Sequence, residues 1–285
     1  GYIEQILTQS EYRDFTRLYR FSSMKQRKFL DLYFKHYEVE VIKKLLRHML
    51  GGREGQTDLS MFQGFFEKHS ELDLETLCRA KNFSEFTEAL EGTVYGKLLS
   101  QMQEKGQTGL FDCELKLDLF YFQLLWKLRN KLLSKTERKI LDDCFGSRLD
   151  LLNIQWICRA RSFYRLSQAE IYALLIPVHY RLRADKVKLL VEAEDDAKFF
   201  AVLRETPYGK QEELQTGQMP DIQLLSNQML NRIYGRTGHR YPHSPAVLDS
   251  YLYRKELEMR KIVTALEGIR YGLPASEIMG LLAKQ

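Results

Sequence analysis

The stretch GTVYGKLL, residues 92–99, has the residue types of a phosphate-binding loop. Glycines beside a lysine can let backbone amides and an ammonium group surround a phosphate. The spacing does not fit a P-loop, because the two glycines are one residue too close and Leu98 stands where Ser or Thr should follow Lys97. A second copy of the stretch has Glu205 in place of the first glycine. We therefore expect TxYGK to be a helix stop, with a left-handed glycine and a lysine facing the negative helix end.

Two histidines have the i, i+4 spacing that would suit a metal on a helix, namely His239 and His243. Pro242 lies between them and Gly238 precedes them, so we expect this segment not to be helical. No cysteine or third histidine lies nearby, and the six histidines form no catalytic arrangement with Ser, Cys or Asp. We expect no catalytic residue, no cofactor-binding residue, no cofactor and no metal ligand.

Composition describes a globular chain with a mildly basic surface. With 285 residues, 44% of them hydrophobic, the chain can bury a sizeable core. The net charge of +5 comes from 43 basic and 38 acidic residues that are interleaved, which does not indicate a nucleic-acid-binding stripe. The four cysteines form no CxxC pair and are expected to be buried free thiols in a reducing cytosol. No apolar run approaches the roughly 18 residues of a membrane span.

The apolar residues recur at three- and four-residue steps along most segments, which predicts an all-α fold. The segment 111–128 is an example, with its leucines and aromatics on one helical face. Short polar, glycine-rich stretches predict the breaks between helices. These stretches are 51–58, 104–109, 214–221 and 235–245.

The chain repeats itself. Residues 77–97 align with residues 190–210 at an offset of 113, including both copies of TxYGK. Residues 23–34 align with 134–145, and both segments begin with a capping box, Ser23 with Gln26 and Ser134 with Glu137. A third, partial copy aligns 258–282 with 150–175. We predict three units of several helices each, at 1–105, 106–218 and 219–285, the last being half a unit.

Three acidic residues occupy one position of this repeat, Glu38, Asp150 and Glu258, each four residues before an aligned isoleucine. They could form a ring of acids that faces a basic partner, or they could lie early in a helix and interact with its dipole, by about 0.3–1 kcal/mol. We favour the helix dipole. Arg47 and Arg159 share another repeated position and could pair with the acids or face a partner, although the third copy has a glutamate there.

The segment 250–282 resembles the C subunit of V-type and A-type rotary ATPases, the family called subunit d in eukaryotes. ETPYG and DLLNIQWICRAR, farther up the chain, also resemble this family, and the resemblance covers nearly all residues in order and spacing. The features that carry it at the end of the chain are Tyr251, Glu256, Glu258, Ile262, Gly268, YGLP, Glu277 and Ile278.

The resemblance implies three similar helical units arranged as a funnel around a pseudo-threefold axis. It also implies a non-catalytic, cytoplasmic subunit, peripheral to the membrane, whose partners are the shaft subunits of the central stalk and the proteolipid subunits of the rotor ring. The family starts with a further TxYG half-unit, which at an offset of 113 would lie before residue 1, so we expect a chain trimmed at its N terminus. The alternative is an all-helical scaffold that binds unrelated protein partners.

Overall fold

The computed structural model of the chain describes residues 2–51, 60–211, 214 and 221–283, and the regular structure within these ranges is helical. The predicted all-α class is therefore confirmed. The fourteen helices of the described ranges are α1 Tyr2–Phe21, α2 Met24–Leu50, α3 Ser60–His69, α4 Leu74–Arg79, α5 Phe83–Glu88, α6 Gly96–Glu104, α7 Leu110–Leu132, α8 Lys135–Ser162, α9 Gln168–Leu174, α10 Ala184–Val191, α11 Asp196–Arg204, α12 Ile222–Arg240, α13 Ala246–Arg270 and α14 Ala275–Ala283.

Helix starts follow the local sequence closely. Both predicted capping boxes form, at Ser23 before α2 and at Ser134 before α8, because each hydroxyl and each third-residue side chain satisfies an amide that the helix leaves free. A third box at Ser167, before α9, was not predicted although the same pattern is present there. Asn82 and Asp195, which are 113 residues apart, cap α5 and α11 in the same way.

Two predicted breaks can be compared with the structure. The break at 104–109 is confirmed, since α6 ends at Glu104 and α7 begins at Leu110. The break at 235–245 is wrong in its first half, because α12 continues through both glycines to Arg240. Gly238 lies against α13, where a Cβ would come within 2.8 Å of Ser250 Oγ, so its missing side chain serves close helix packing. Most of 51–58 and 214–221 lies outside the described residues.

The chain forms two compact units. The N-terminal unit spans Thr8–Leu132, and the C-terminal unit spans Leu133–Gln285 together with Gly1–Leu7. In the N-terminal unit α2 packs along α7. Lys43 of α2 donates to Asp118 of α7 at 2.9 Å, so an ion pair also joins the two helices. The three units predicted from the repeat have other boundaries, and that division stays a prediction.

In the C-terminal unit, α8 is the central helix. It packs against α9, α10, α12 and α13, and Ile154 and Ile157 on α8 are completely buried in its core. The cysteines are all free, but Cys78 is exposed and Cys158 is partly buried, so the expectation of four buried thiols is wrong for these two.

The order of helices repeats along the chain. A pair of long helices and a shorter helix come first, as α1–α3, as α7–α9 and as α12–α14. Two short helices and a TxYG turn follow two of these groups. The short helices are α4 and α5 after the first group, and α10 and α11 after the second. We call the short-helix segment with its TxYG turn the second half-unit of the repeat.

Candidate functional site

The threonine of TxYG closes a tight turn at the end of a short helix. Thr93 Oγ1 donates to the carbonyl of Leu90 at 2.7 Å and accepts from the amide of Tyr95 at 3.2 Å. The second copy has the same two hydrogen bonds at the same distances, between Thr206, Leu203 and Tyr208. A threonine hydroxyl is thus used twice to direct the following tyrosine away from the helix.

The glycine of TxYG is required because backbone atoms lie very close to it. A Cβ on Gly96 would lie 2.4 Å from the carbonyl oxygen of Leu90, and a Cβ on Gly209 would lie 2.3 Å from that of Arg204. The prediction that this glycine is left-handed is wrong for both copies, because neither Gly96 nor Gly209 has a positive φ; in this stretch it is Gly92 that does, at 82°. The predicted helix stop is also wrong for Gly96, since α6 begins there. The turn therefore depends on close packing of its backbone.

We expect Gly209→Ala to lower the free energy of unfolding of the C-terminal unit by about 2–3 kcal/mol, because the new methyl group overlaps backbone oxygens that cannot move independently. Chemical denaturation followed by circular dichroism measures this change. The control is Gly280→Ala in α14, where the methyl group meets no atom within 4 Å. That substitution should be neutral or stabilise by roughly 0.5–1 kcal/mol. Equal effects of both changes would contradict the packing argument.

The phosphate interpretation of GTVYGKLL gains no support from its surroundings. The stretch lines a surface concavity of about 550 Å³ together with Glu88 and Glu91. Two carboxylates beside Lys97 disfavour a bound phosphate, because like charges repel in the same cavity.

The tyrosine of TxYG reaches a carboxylate in the middle of a long helix. In the N-terminal unit, Tyr95 Oη donates to Glu38 Oε2 at 2.7 Å. Ser70 Oγ donates to Glu38 Oε1 at 2.6 Å, and Lys35 Nζ donates to Oε2 at 2.8 Å, so both carboxylate oxygens are satisfied although Glu38 is only 1% exposed. Burial and the adjacent Glu38 carboxylate raise the pKa of Tyr95, which keeps the hydroxyl a donor.

The C-terminal unit contains the same contact with different supporting groups. Tyr208 Oη donates to Asp150 Oδ2 at 2.7 Å. The amides of Tyr180, Arg181 and Leu182 donate to the same carboxylate at 3.1, 2.7 and 2.8 Å, which ties the segment after α9 to α8. Burial raises the pKa of Asp150, and these hydrogen bonds oppose that rise by stabilising the ionised form. We call Tyr95–Glu38 and Tyr208–Asp150 the tyrosine–carboxylate contacts.

These contacts correct the expectations for two of the five predicted site residues. Glu38 and Asp150 are buried within their own units, so neither side chain can contact a partner in this conformation. The favoured interaction with a helix dipole is wrong as well, because each acid lies in the middle of its helix, more than three turns from its start. Their shared role is to hold the second half-unit against a long helix.

The other three predicted residues retain solvent exposure, and their partner-facing role stays a prediction. Arg47 forms an ion pair with Glu114 of α7. Arg159 donates from Nη2 to the side chain of Gln223 at 2.6 Å. Glu258 pairs with Lys255 at 3.0 Å, and its side chain is 57% exposed. Each of these three contacts joins residues of the same unit.

A buried carboxylate at Asp249 was missed by the sequence reasoning. Asp249 lies on α13, and its equivalents in the other two copies are Leu141, at an offset of 108, and Leu30, a further 111 residues earlier, both completely buried. Within the described part of the chain, no hydrogen bond is formed by Asp249 Oδ2, and none by the hydroxyl groups of two buried tyrosines. These tyrosines, Tyr234 and Tyr253, stack with ring centroids 4.0 Å apart. A comparison of repeat copies position by position would have shown this acid.

Burial raises the pKa of Asp249 to about 8. Arg148 opposes this rise because its guanidinium favours the ionised form, and the Glu256 carboxylate contributes to it. Arg148 and Glu256 form their own ion pair at 2.7 Å, which limits what Arg148 can contribute to Asp249. At neutral pH, Asp249 is therefore mostly a protonated acid inside the C-terminal unit.

The described residues contain no group of three or more His, Cys, Asp and Glu side chains that could hold a metal ion. His239 lies in the last turn of α12, so the expectation that it is outside a helix is wrong, whereas His243 follows the end of that helix. Within the same ranges, every helix is too short or too polar to cross a membrane.

The comparisons with known proteins agree with one another. The model of the ATP synthase (C/AC39) subunit family matches residues 1–281. Three similar proteins are A-type ATP synthase subunits C. They come from Methanothermobacter thermautotrophicus (27% identical over 87% of this chain), Pyrococcus abyssi (27% over 74%) and Methanosphaera stadtmanae (22% over 98%). The chain spans 66%, 57% and 74% of the length of these relatives, respectively.

Proposed function

The chain belongs to the ATP synthase (C/AC39) subunit family, and from this membership we propose that it is a non-catalytic central-stalk subunit of a V/A-type rotary ATPase. In this role it links the central shaft to the proteolipid ring in the membrane and transmits torque. ATP hydrolysis or synthesis is thereby coupled to the transport of protons or sodium ions. The family match over residues 1–281 is the observation that carries the proposal.

The construction of the two units supports a mechanical role. Torque is transmitted without loss only by a part that resists deformation, and packed helices are nearly incompressible. The tyrosine–carboxylate contacts connect residues that are 57 and 58 positions apart in sequence, so each contact joins two distant segments of its own unit. The ion pair of Lys43 and Asp118 adds a similar connection between α2 and α7.

A repeated module also suits a part that joins a ring of identical subunits to a single shaft. We propose that three such units are arranged as a funnel around a pseudo-threefold axis, with the protein peripheral to the membrane on its cytoplasmic side. Similar units would present similar docking surfaces in several orientations. Arg47, Arg159 and Glu258 are the predicted partner-facing residues that are accessible for this contact.

Association with the stalk and ring subunits tests the proposal. We expect the chain to form complexes with shaft and proteolipid-ring subunits in native mass spectrometry, and Arg159→Glu to weaken them by about tenfold, because reversing a charge at an interface replaces attraction by repulsion. The matched control is Arg183→Glu, the same charge change in the same unit on a highly exposed side chain. Failure to associate with either kind of subunit would overturn the proposal and favour the scaffold alternative.

A further inference from the structure

The turn between α1 and α2 carries the excess positive charge of the chain. Residues 15–30 contain five basic residues and no acidic residue, so this segment alone has a charge of +5. That value equals the net charge of the whole chain, which means that basic and acidic residues balance over all the other positions. We call residues 17–28 the α1–α2 tip. A local excess of one sign raises the local potential and attracts a partner of the opposite sign.

Four of the five basic side chains in the tip are exposed to solvent. They are Arg17 and Arg20 on α1 and Lys25 and Lys28 on α2. None of the four forms an ion pair within the described residues. The two lysines lie near the partly positive N-terminal end of α2, whose first turn contains no acidic residue, so the helix dipole disfavours them. The stability of α2 therefore does not explain why these cations are there.

Two large apolar side chains form the apex of the tip. Phe21, the last residue of α1, is 82% exposed, and Met24, the first residue of α2, is 73% exposed. Their equivalents in the second copy of the repeat, at an offset of 111, are Leu132, which is partly buried, and Lys135. The exposed apolar pair is therefore a property of this copy and not of the repeated module. Neighbouring exposed apolar side chains mark a contact surface more often than single ones do.

Polar contacts at its base hold the tip in a fixed shape. Arg27, the fifth basic residue, donates from Nε to the carbonyl of Tyr19 at 3.1 Å and from Nη2 to that of Arg20 at 3.2 Å. The capping box of Ser23 fixes the start of α2. Because these contacts use backbone groups and Arg27, the apolar apex and the four exposed cations stay available for contact with a partner.

We propose that the α1–α2 tip binds the surface of a membrane that contains anionic lipids. Phe21 and Met24 enter the boundary between headgroups and acyl chains, and the four exposed cations lie beside the lipid phosphates. An apolar apex between cations matches such a surface, in which the charge lies outside and the hydrocarbon inside. A nucleic acid offers phosphates without hydrocarbon, and an acidic protein needs a pocket that admits both apolar side chains. This direct contact with lipid goes beyond the proposed function.

Sedimentation of the chain with lipid vesicles tests the contact. We expect the chain to bind vesicles of phosphatidylcholine with about one-third phosphatidylglycerol, and to bind phosphatidylcholine alone at least about tenfold more weakly, because each cation near an anionic surface strengthens binding by about fivefold. Raising the salt concentration should weaken binding to the anionic vesicles, since salt screens these charges. The vesicles contain no shaft or ring subunit, so the result is independent of association with those proteins.

Phe21→Ser separates insertion of the apex from attraction between charges. This change leaves the charge of the tip unaltered, so we expect the loss of apolar contact to weaken vesicle binding by about tenfold. The matched control is Phe111→Ser, which removes a phenylalanine that is 71% exposed at the start of α7 in the same unit and should leave binding unchanged. Because both side chains are exposed, the melting temperature should stay the same in both variants.

The cations and the depth of insertion are tested in the same assay. Lys25→Gln should weaken binding by about fivefold, whereas Lys81→Gln, outside the tip, should not. In Phe21→Trp, brominated acyl chains should quench the new indole, and in Phe111→Trp they should not. Failure to bind anionic vesicles, or equal losses for Phe21→Ser and Phe111→Ser, refutes the contact with lipid. Binding that Phe21→Ser leaves intact also refutes it and assigns the tip to an acidic protein or a nucleic acid.

Discussion

Replacing Asp249 by leucine should stabilise the C-terminal unit by about 6 kcal/mol above pH 8, since a pKa shift of one unit corresponds to about 1.4 kcal/mol and burial raises this pKa from 3.8 to about 8. The substitution installs the residue that the second copy of the repeat has at this position, Leu141, which is completely buried. It therefore matches a side chain that the same module already accommodates. This is the largest effect that we expect from a single change.

The pH dependence of this effect has a definite sign. The folded-state pKa of Asp249 lies above its unfolded value, so between about pH 4 and pH 8 the unfolded chain loses the proton while the folded chain keeps it. Asp249 thus destabilises the folded state progressively as the pH rises through this window, and the loss is complete above about pH 8. Below pH 4 both states hold the proton, and the gain from the leucine should fall to the small difference in packing.

Chemical denaturation at a series of pH values between 4 and 9 measures this effect. Asp249→Asn is the second variant, because an amide keeps the size of the side chain but does not titrate. It should remove the same pH dependence while leaving the unpaired hydroxyls of Tyr234 and Tyr253 in place. If the two variants and the parent chain change stability with pH in parallel, Asp249 is not a buried neutral acid.

Asp150→Ala should destabilise the C-terminal unit by about 4 kcal/mol at pH 7, because it removes the acceptor of four hydrogen bonds and leaves buried amides without a partner. Tyr208→Phe removes one of these bonds and should destabilise the unit by about 1–3 kcal/mol. The double variant should lose less than the sum of the two single changes, since each removes the same contact.

The repeat provides the control for this prediction. Glu258→Ala is the same kind of truncation at the equivalent position of α13, but the side chain is exposed and pairs only with the nearby Lys255 among the contacts seen. We expect that substitution to change stability by less than about 0.5 kcal/mol. Thermal or chemical denaturation of both variants gives the comparison. A large loss from Glu258→Ala, or a small one from Asp150→Ala, would contradict the assigned role of the buried carboxylate.

Local features of this protein could be predicted from its sequence with good success. Both capping boxes, the all-helical class and the break at 104–109 are confirmed, because they depend on groups within a few residues of one another. The continuation of α12 through Gly235 and Gly238 was missed for the opposite reason. A glycine weakens a helix locally, but here Gly238 lies against Ser250 on α13, and that packing contact is distant in sequence.

The roles of the repeated residues depended on tertiary structure. The alignment of copies identified Glu38, Asp150 and TxYG as recurring, and the order of landmarks identified the family, since both are properties of the linear chain. The alignment could not show that the tyrosine and the carboxylate are in contact. The two residues are nearly 60 positions apart, and only the packing of the helices between them brings them together. The alignment also could not show which of these carboxylates are buried. The same acidic position is enclosed in two copies and exposed in the third, and only the arrangement of neighbouring helices decides which carboxylate supports the fold and which one remains available for contact.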